Sequence, residues 1–142
     1  MTKASQTGWS ESGISGVRIL VVEDDPLLCE ALKEGLESRS FSVVTAQDGF
    51  EGLRVVFNGN FDVVLCNWHM PGMDGGKFYR EVERMDPELC RQFIFTTGFP
   101  AAPRIQQFIQ QINGTILLKP FARSALLDAV SALPARESLR VR

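Results

Sequence analysis

The sequence predicts an α/β fold in which five parallel strands form a doubly wound sheet and five helices cover both of its faces. Short apolar runs, such as residues 19–22, 61–66 and 116–118, alternate with segments of helical periodicity. Runs this apolar are typical of strands that are buried on both faces. Polar residues follow the runs, and the carboxyl ends of parallel strands are where open α/β sheets place their functional groups.

The first half of the chain contains two strand-helix units. Residues 19–22 are the first strand, and Asp25-Pro26 then supplies an N-cap residue with a proline in the first turn of helix one. Residues 41–46 are the second strand, and Asp48 caps helix two. The apolar residues of helix two predict an inward stripe: Phe50, Leu53, Val56 and Phe57.

The second half adds three further units. After the third strand, helix three begins near Gly75 and ends before Asp86-Pro87, because the residue ahead of proline disfavours helical angles. Its predicted inward residues are Phe78, Val82 and Met85. The fourth and fifth strands, residues 93–97 and 116–118, are followed by helix four with Ile105, Phe108, Ile109 and Ile112, and by helix five over residues 123–133. We predict the flavodoxin-like strand order 2-1-3-4-5 with right-handed crossovers.

Composition predicts one domain with short extensions. The chain has 142 residues, 44% of them hydrophobic and 23% charged, which matches a soluble globular domain over residues 17–133. Residues 1–16 are rich in Ser, Thr and Gly and predict a flexible N-terminal tail, and residues 134–142 predict a basic C-terminal tail.

Charge, hydropathy and cysteine usage exclude several classes of function. The net charge of −2 gives no electrostatic reason for nucleic-acid binding, and no run approaches the ~20 apolar residues that span a membrane. Cys29, Cys66 and Cys90 have neither disulfide nor metal-site spacing. We therefore expect a cytoplasmic protein that binds neither nucleic acid nor membrane.

An ordered set of motifs lies at the strand ends. Glu23-Asp24 follows strand one, Met-Pro-Gly-Met-Asp-Gly over residues 70–75 follows strand three, Thr97-Gly98 follows strand four, and Lys119-Pro120-Phe121 follows strand five. This set resembles the receiver domain of two-component response regulators over about residues 17–133. The resemblance implies a signalling module and not an enzyme. One position departs from it, because Asn67 stands where the family carries the aspartate that accepts a phosphoryl group.

The resemblance also assigns roles to the other site residues. It implies that Glu23 and Asp24 are the acidic pair that binds Mg²⁺, with the backbone carbonyl of His69 as a further ligand. It implies that Thr97 and Lys119 contact the phosphoryl group. An amide is a poor nucleophile, so at Asn67 we expect no phosphoryl transfer and no required cofactor.

The substitution at position 67 also weakens metal binding. Glu23, Asp24 and Lys119 give a net charge of −1, against −2 if residue 67 were an aspartate. At an effective dielectric constant near 20, one charge removed from about 4 Å costs ~4 kcal/mol for each unit of cation charge. We therefore expect Mg²⁺ to bind weakly, and a salt bridge from Lys119 to the remaining acids becomes easier.

Expectations about switching and partners also follow from the resemblance. Ile116 stands where such receivers commonly carry an aromatic switch residue, and a β-branched side chain has few rotamers, so the usual coupling is doubtful. Expected partners are a histidine kinase, a phosphotransfer protein or an output protein, with Leu27 and Phe121 as candidate apolar anchors. The resemblance also allows a homodimer through the face formed by helix four, strand five and helix five.

Other interpretations remain open at this point. Asn67 is either natural or an engineered substitution in an ordinary phosphorylatable receiver. Asn67-x-His69-x-x-Gly72 also resembles the Asp-x-His-x-x-Gly loop of cobalamin-binding domains, a remote alternative. A phosphatase of the haloacid dehalogenase type lacks its Asp-x-Asp motif here. The sequence leaves open the kinase, the output, the oligomeric state and whether the chain comes from a longer hybrid protein.

Overall fold

The strands form a single parallel sheet, and the chain crosses from one face of this sheet to the other. The structure is a computed structural model that describes residues 16–99 and 102–134. Its sheet has the order β2-β1-β3-β4-β5, which confirms the predicted 2-1-3-4-5 topology. The strands are β1 (Arg18–Val22), β2 (Ser42–Ala46), β3 (Val63–Asn67), β4 (Phe93–Thr97) and β5 (Thr115–Leu118).

Within residues 16–99 and 102–134, five α-helices connect and follow the strands, as predicted. They are α1 (Pro26–Glu37), α2 (Gly49–Asn58), α3 (Gly75–Met85), α4 (Pro103–Ile112) and α5 (Arg123–Ala132), and a short 3₁₀ turn, Leu89–Gln92, precedes β4. Aspartate caps begin three of these helices. Asp25 accepts hydrogen bonds from the Leu27 and Leu28 amides, Asp48 from that of Glu51, and Asp74 from that of Lys77. Each cap satisfies backbone donors that the first helical turn leaves without partners.

Two apolar clusters cover the two faces of the sheet. Along β3, Val64 and Cys66 belong to the cluster beneath α2, α3 and α4. Val63 and Leu65 belong to the cluster beneath α1 and α5. This alternation is the period of two expected of a strand with helices on both sides.

The predicted inward faces of α2 and α3 are partly wrong. Phe50 is 54% exposed and Phe57 78% exposed, whereas Gly49, Gly52 and Val56 face inward. Glycine decides this orientation, because a Cβ on Gly52 would lie 2.8 Å from the Phe78 ring. The helix therefore packs through its smallest residues and leaves two phenylalanines outside. In α3, Met85 is also exposed, at 41%, while Phe78 and Val82 are buried as predicted.

Gln92 ties together the edge of the sheet where the strands begin. Its side chain is 2% exposed. Its Nε2 atom donates to the carbonyl oxygens of Asp62 at 2.8 Å and Pro134 at 2.7 Å. The residue just before β3 is thus linked to the residues that follow α5.

The predicted extensions and location are not decided by this fold. The N-terminal tail lies outside the described residues except for Gly16, and the C-terminal tail except for Pro134. Across the described residues, none of the helices has the length and apolar composition needed to cross a membrane. The cytoplasmic location stays a prediction.

Candidate functional site

The polar residues predicted to meet at one edge of the sheet do so because of the strand register. Val22 pairs with Cys66, so Glu23 and Asn67 end adjacent strands. Asn67 pairs with Thr96 in β4, and Thr97 pairs with Leu118 in β5, directly before Lys119. The carboxyl ends of the four strands thereby deliver two carboxylates, an amide, a hydroxyl and an ammonium group to one site.

The side-chain amide of Asn67 is the centre of this site. Asn67 is 6% exposed. Its Nδ2 atom donates to His69 O at 2.8 Å, to Asp24 Oδ1 at 2.9 Å and to Glu23 Oε2 at 3.3 Å. These three oxygens belong to the residues that the sequence assigned to the metal. A single NH₂ group therefore faces all three.

Lys119 closes the network from the opposite side. Its Nζ atom donates to Asn67 Oδ1 at 3.1 Å and to Glu23 Oε1 at 3.1 Å. The side chain of Glu23 is 3% exposed and that of Lys119 is 25% exposed, so the ion pair is shielded on the carboxylate side. Both polar atoms of the Asn67 amide are hydrogen-bonded, as a buried amide requires.

Burial changes the protonation of Glu23. Removal from water raises the pKa of this carboxyl above its usual value, because the ionised form loses hydration. The backbone N–H of Asp25 and the charge of Lys119 oppose the rise, and neither overcomes it. Glu23 thus holds its negative charge against a desolvation cost.

Thr97 and His69 lie at the mouth of the site in different states of burial. Thr97 is fully buried, and its Oγ1 accepts a hydrogen bond from the Phe99 amide at 3.0 Å. The ring of His69, an exposed residue, lies edge-on to Phe99 with 4.9 Å between centroids. Within the described part of the chain, His69 joins the Asn67 network through its backbone carbonyl.

The turn after β3 holds these groups in place. Gly72 has φ of 81°, a left-handed value that favours glycine. The Gly75 amide then donates to Trp68 O at 2.7 Å, which returns the chain to the strand it has just left. Asp74 caps α3 and also lies 3.7 Å from Arg104 of α4. The turn therefore links β3, α3 and α4.

The remaining predicted residues lie outside the Asn67 network. Ile116 is half-buried and packs against the cluster beneath α2, α3 and α4. Leu27 is 81% exposed at the start of α1, and Phe121 is half-buried against the cluster beneath α1 and α5. These positions suit an exposed anchor at Leu27 better than at Phe121.

The site as arranged does not fit a divalent cation. Mg²⁺ takes oxygen ligands in near-octahedral geometry, whereas one oxygen each of Glu23, Asp24 and His69 faces the Asn67 NH₂ group, and the second carboxylate oxygen of Glu23 accepts from Lys119. The described residues contain no group of three or more His, Cys, Asp and Glu side chains placed to hold a metal ion. No chemical step is therefore assigned to a metal here.

Sequence reasoning missed two features of this site. It predicted a loss of charge at Asn67 and a salt bridge at Lys119, but not that the amide nitrogen would face the acidic pair. The donors and acceptors of the site residues could have predicted this contact. The side chain of Asn67 has an NH₂ group that can donate to Glu23 and Asp24 and an oxygen that can accept from Lys119. Phe99, which flanks both Thr97 and His69, was also missed.

Known proteins share sequence with this chain. The chain is 35% identical over 112 residues to the transcriptional regulatory protein GlrR of Escherichia coli (strain K12), a match covering 79% of this chain and 25% of that protein. It is 34% identical over 122 residues to the response regulator MprA of Mycobacterium sp. (strain KMS), covering 86% of this chain and 52% of MprA. The chain thus spans a quarter to about half of these relatives.

Solved structures share the fold. The chemotaxis protein CheY4 of Vibrio cholerae superposes with a TM-score of 0.75 at 26% identity, over 84% of this chain and 99% of that one. TrrA of Thermotoga maritima, solved in complex with Mg²⁺ and beryllofluoride, gives a TM-score of 0.69 at 30% identity, over 80% and 96%. The model of the response regulator receiver domain family matches residues 19–131. The chain therefore belongs to the response regulator receiver domain family.

Proposed function

We propose that this receiver domain signals without accepting a phosphoryl group and acts instead by binding other proteins. The observation that carries the proposal is the Asn67 amide, whose Nδ2 atom lies 2.8 to 3.3 Å from three oxygens and whose Oδ1 atom lies 3.1 Å from Lys119. In this proposal Asn67 occupies the position of the family's phosphoacceptor aspartate. An amide there offers no carboxylate to attack phosphorus, and it occupies the oxygens that a cation would need.

The contrast with a structural relative sharpens the proposal. TrrA was solved with Mg²⁺ and beryllofluoride, a phosphoryl mimic, bound to it. In this chain the Asn67 amide and Lys119 already hydrogen-bond the carboxylates of Glu23 and Asp24. The same network supports a domain without enzymatic activity and without a required cofactor.

Phosphoryl uptake is tested with acetyl phosphate and with beryllofluoride, each in the presence of Mg²⁺. We expect no change in intact mass and no amide NMR shifts at Thr97 or Lys119. Asn67→Asp is the matched variant, and we expect it to bind Mg²⁺ because it adds a third carboxylate beside Glu23 and Asp24. A stable phosphoryl adduct on the wild-type protein would refute the proposal.

A second candidate rests on what the site retains. Glu23, Asp24, Thr97 and Lys119 all keep their places around Asn67. This retention favours a phosphorylatable receiver in which Asn67 is an introduced substitution. The sequence of the native genomic locus decides between the two, since an Asp codon at position 67 supports only the second.

The proposed partners are a histidine kinase, a phosphotransfer protein or an output protein. Leu27 at 81% exposure is an unburied apolar side chain beside the site, and removing such surface from water stabilises association. Phe121 is half-buried and lines a groove together with Leu28, the neighbour of Leu27 in the chain. A homodimer through α4, β5 and α5 remains part of the proposal, with Leu118 of β5 exposed at 47%.

Partner capture is tested by immobilising the protein and identifying what it retains from its native host. We expect Leu27→Glu to lose a kinase, phosphotransfer or output protein that the wild type retains. Phe57→Glu is the matched control, because Phe57 is 78% exposed on α2, on the opposite face of the sheet from α1. If both variants retain the same partners as the wild type, the α1 face is not the docking surface.

A further inference from the structure

An apolar groove of about 500 Å³ lies between α1 and α5 and shares Lys119 with the Asn67 network. Its floor and walls are formed by Leu28, Ala31, Leu32, Gly35 and Leu36 of α1, by Pro120 and Phe121, and by Leu126 of α5, with Lys119 and Arg123 as its cations. The Arg123 side chain lies close to Gly35, since an added Cβ there would be in ordinary contact with it at 3.6 Å. Such a groove leaves apolar surface in water unless something covers it.

The N-terminal segment enters the fold on the same side of the sheet as this groove. Val17 is buried in the apolar cluster that also contains Leu36 and Leu126, both of which line the groove. Its carbonyl accepts a hydrogen bond from Ser42, the first residue of β2, which follows α1. The segment therefore leaves the domain beside the C-terminal end of α1.

The chain turns where this segment meets β1. Gly16 has φ of 91°, and an added Cβ there would meet nothing within 4 Å, so the glycine serves the backbone conformation and not a close contact. This left-handed residue lies two positions before Arg18, the first residue of β1, with the buried Val17 between them.

Residues 1–15 contain side chains that match the groove. Trp9 is the only aromatic residue among them, and Glu11 follows two residues later. The indole of Trp9 can bury a large apolar area in the groove. Arg123 has no ion pair among the described residues, so the carboxylate of Glu11 would give Arg123 a partner. Gly16 is the seventh residue after Trp9, a span that reaches ~23 Å when extended. Because α1 has 12 residues and is ~18 Å long, Trp9 can reach any point of the groove.

We propose that the segment around Trp9 occupies the α1–α5 groove of its own chain, with Glu11 beside Arg123. Under the proposed function, on which only this consequence rests, the segment would compete with partners that dock at Phe121, which lines the groove. The domain would then carry its own cover for that surface.

Tryptophan fluorescence tests the occupancy without any partner. The protein has two tryptophans, and Trp68 is 4% exposed, so the wild-type spectrum minus that of Trp9→Phe isolates Trp9. Trp68→Phe gives the same signal directly and serves as the second route. We expect Trp9 emission to be blue-shifted, and its quenching by acrylamide to be severalfold lower, relative to a synthetic peptide of residues 1–15.

Filling the groove should release Trp9. Ala31→Glu adds a long charged side chain at an exposed lining position without removing core packing, and we expect it to give peptide-like emission and quenching. Ser131→Glu makes the same type of change at an exposed position of α5 outside the groove, and we expect it to leave Trp9 shielded.

Three outcomes would overturn the inference. The first is peptide-like emission and quenching in the wild type, which leaves the groove to a partner. The second is shielding that Ala31→Glu does not change, which places Trp9 elsewhere. The third is shielding that disappears on dilution, which assigns the segment to the groove of a second copy. None of these outcomes bears on phosphoryl uptake, so failure here is distinguishable from failure of the proposed function.

Discussion

At the scale of single residues, Asn67 shows how one amide reorganises an acidic site. An aspartate at this position would add a third carboxylate beside Glu23 and Asp24, and their mutual repulsion would require a cation. The amide instead supplies donors to both carboxylates and an acceptor to Lys119, so every group in the network has a partner of opposite polarity. The neutral side chain thus stabilises the two carboxylates through hydrogen bonds, where a divalent ion would stabilise them through its charge.

The raised pKa of Glu23 makes stability depend on pH. Burial raises this pKa above 4.5, so the folded protein holds the proton more tightly than the unfolded chain. The resulting stabilisation is complete below pH 4.5 and is lost as the pH rises through the folded-state pKa. Each unit by which the pKa is raised corresponds to about 1.4 kcal/mol.

We therefore expect the free energy of unfolding of the wild type, minus that of Glu23→Gln, to fall as the pH rises from 4.5 to neutrality. Urea unfolding across this range measures the difference. The subtraction cancels the contribution to the pH dependence of the carboxylates that both proteins share. A difference that grows with pH would show that attraction to Lys119 outweighs burial.

The sequence predicts that these polar side chains meet at one edge of the sheet, but it does not predict their contacts. Strand ends bring Glu23, Asn67, Thr97 and Lys119 to one edge in any sheet of this order. Which atom of the Asn67 amide faces the carboxylates depends on competition among neighbours from three strands. That competition is set by distances that a sequence does not contain.

At the scale of helices and strands, the start of each helix differs in how well it is capped. The N-cap Asp74 of α3 accepts a hydrogen bond from the Lys77 amide, whereas Ala122, the N-cap of α5, has no side chain able to accept one. Ala122 nevertheless has the extended backbone of an N-cap residue, with φ of −76° and ψ of 151°. A hydroxyl at this position could reach the first-turn amides.

We expect Asp74→Ala to lower the free energy of unfolding by about 1 kcal/mol and Ala122→Ser to raise it by about 1 kcal/mol. Chemical denaturation measures both changes. Asp74→Asn is the control, because it keeps the cap and removes the charge facing Arg104, an exposed pair that contributes little. A large loss in Asp74→Asn would assign the effect to the ion pair.

Helix boundaries and types followed from the sequence, while the buried face of α2 did not. Helical spacing placed Phe50 and Phe57 inward, but Gly49 and Gly52 allow the backbone to approach Met73 and Phe78 closely. Contact through glycine gains packing over a whole helical face, and the two phenylalanines are left in solvent. A prediction from periodicity assigns large apolar side chains to the buried face, and it does not consider that glycine can form that face because it has no side chain.

At the scale of the whole molecule, the edge where the strands begin is closed by Gln92, opposite the edge that carries the site. Its Nε2 atom bridges the carbonyls of Asp62 and Pro134. This buried side chain connects the middle of the sheet to the end of α5, which otherwise meets the sheet through apolar contacts such as Val130 and Leu133. The position of α5, and with it the α1–α5 groove, depends on this link.

We expect Gln92→Met, which keeps the shape and removes both hydrogen bonds, to lower the free energy of unfolding by about 2 kcal/mol. Hydrogen exchange at Leu133, whose amide donates to Val130, should accelerate more than exchange in β3. Gln110→Met, at an exposed position of α4, is the control and should change stability by no more than about 0.5 kcal/mol. If the two substitutions lower the free energy of unfolding equally, Gln92 does not stabilise the link between the sheet and α5.

If the hydrogen-bonded Asn67 amide replaces a phosphoacceptor, the response also loses the timing that the lifetime of an acyl phosphate provides. A receiver that carries an acyl phosphate keeps a record of past kinase activity until hydrolysis erases it, and the lifetime of that bond sets the duration of its response. Under the proposed function, a domain whose site is satisfied by Glu23, Asp24 and Lys119 would store no such record. Its output would follow the present concentration of its partners, and it would end as fast as the complex dissociates.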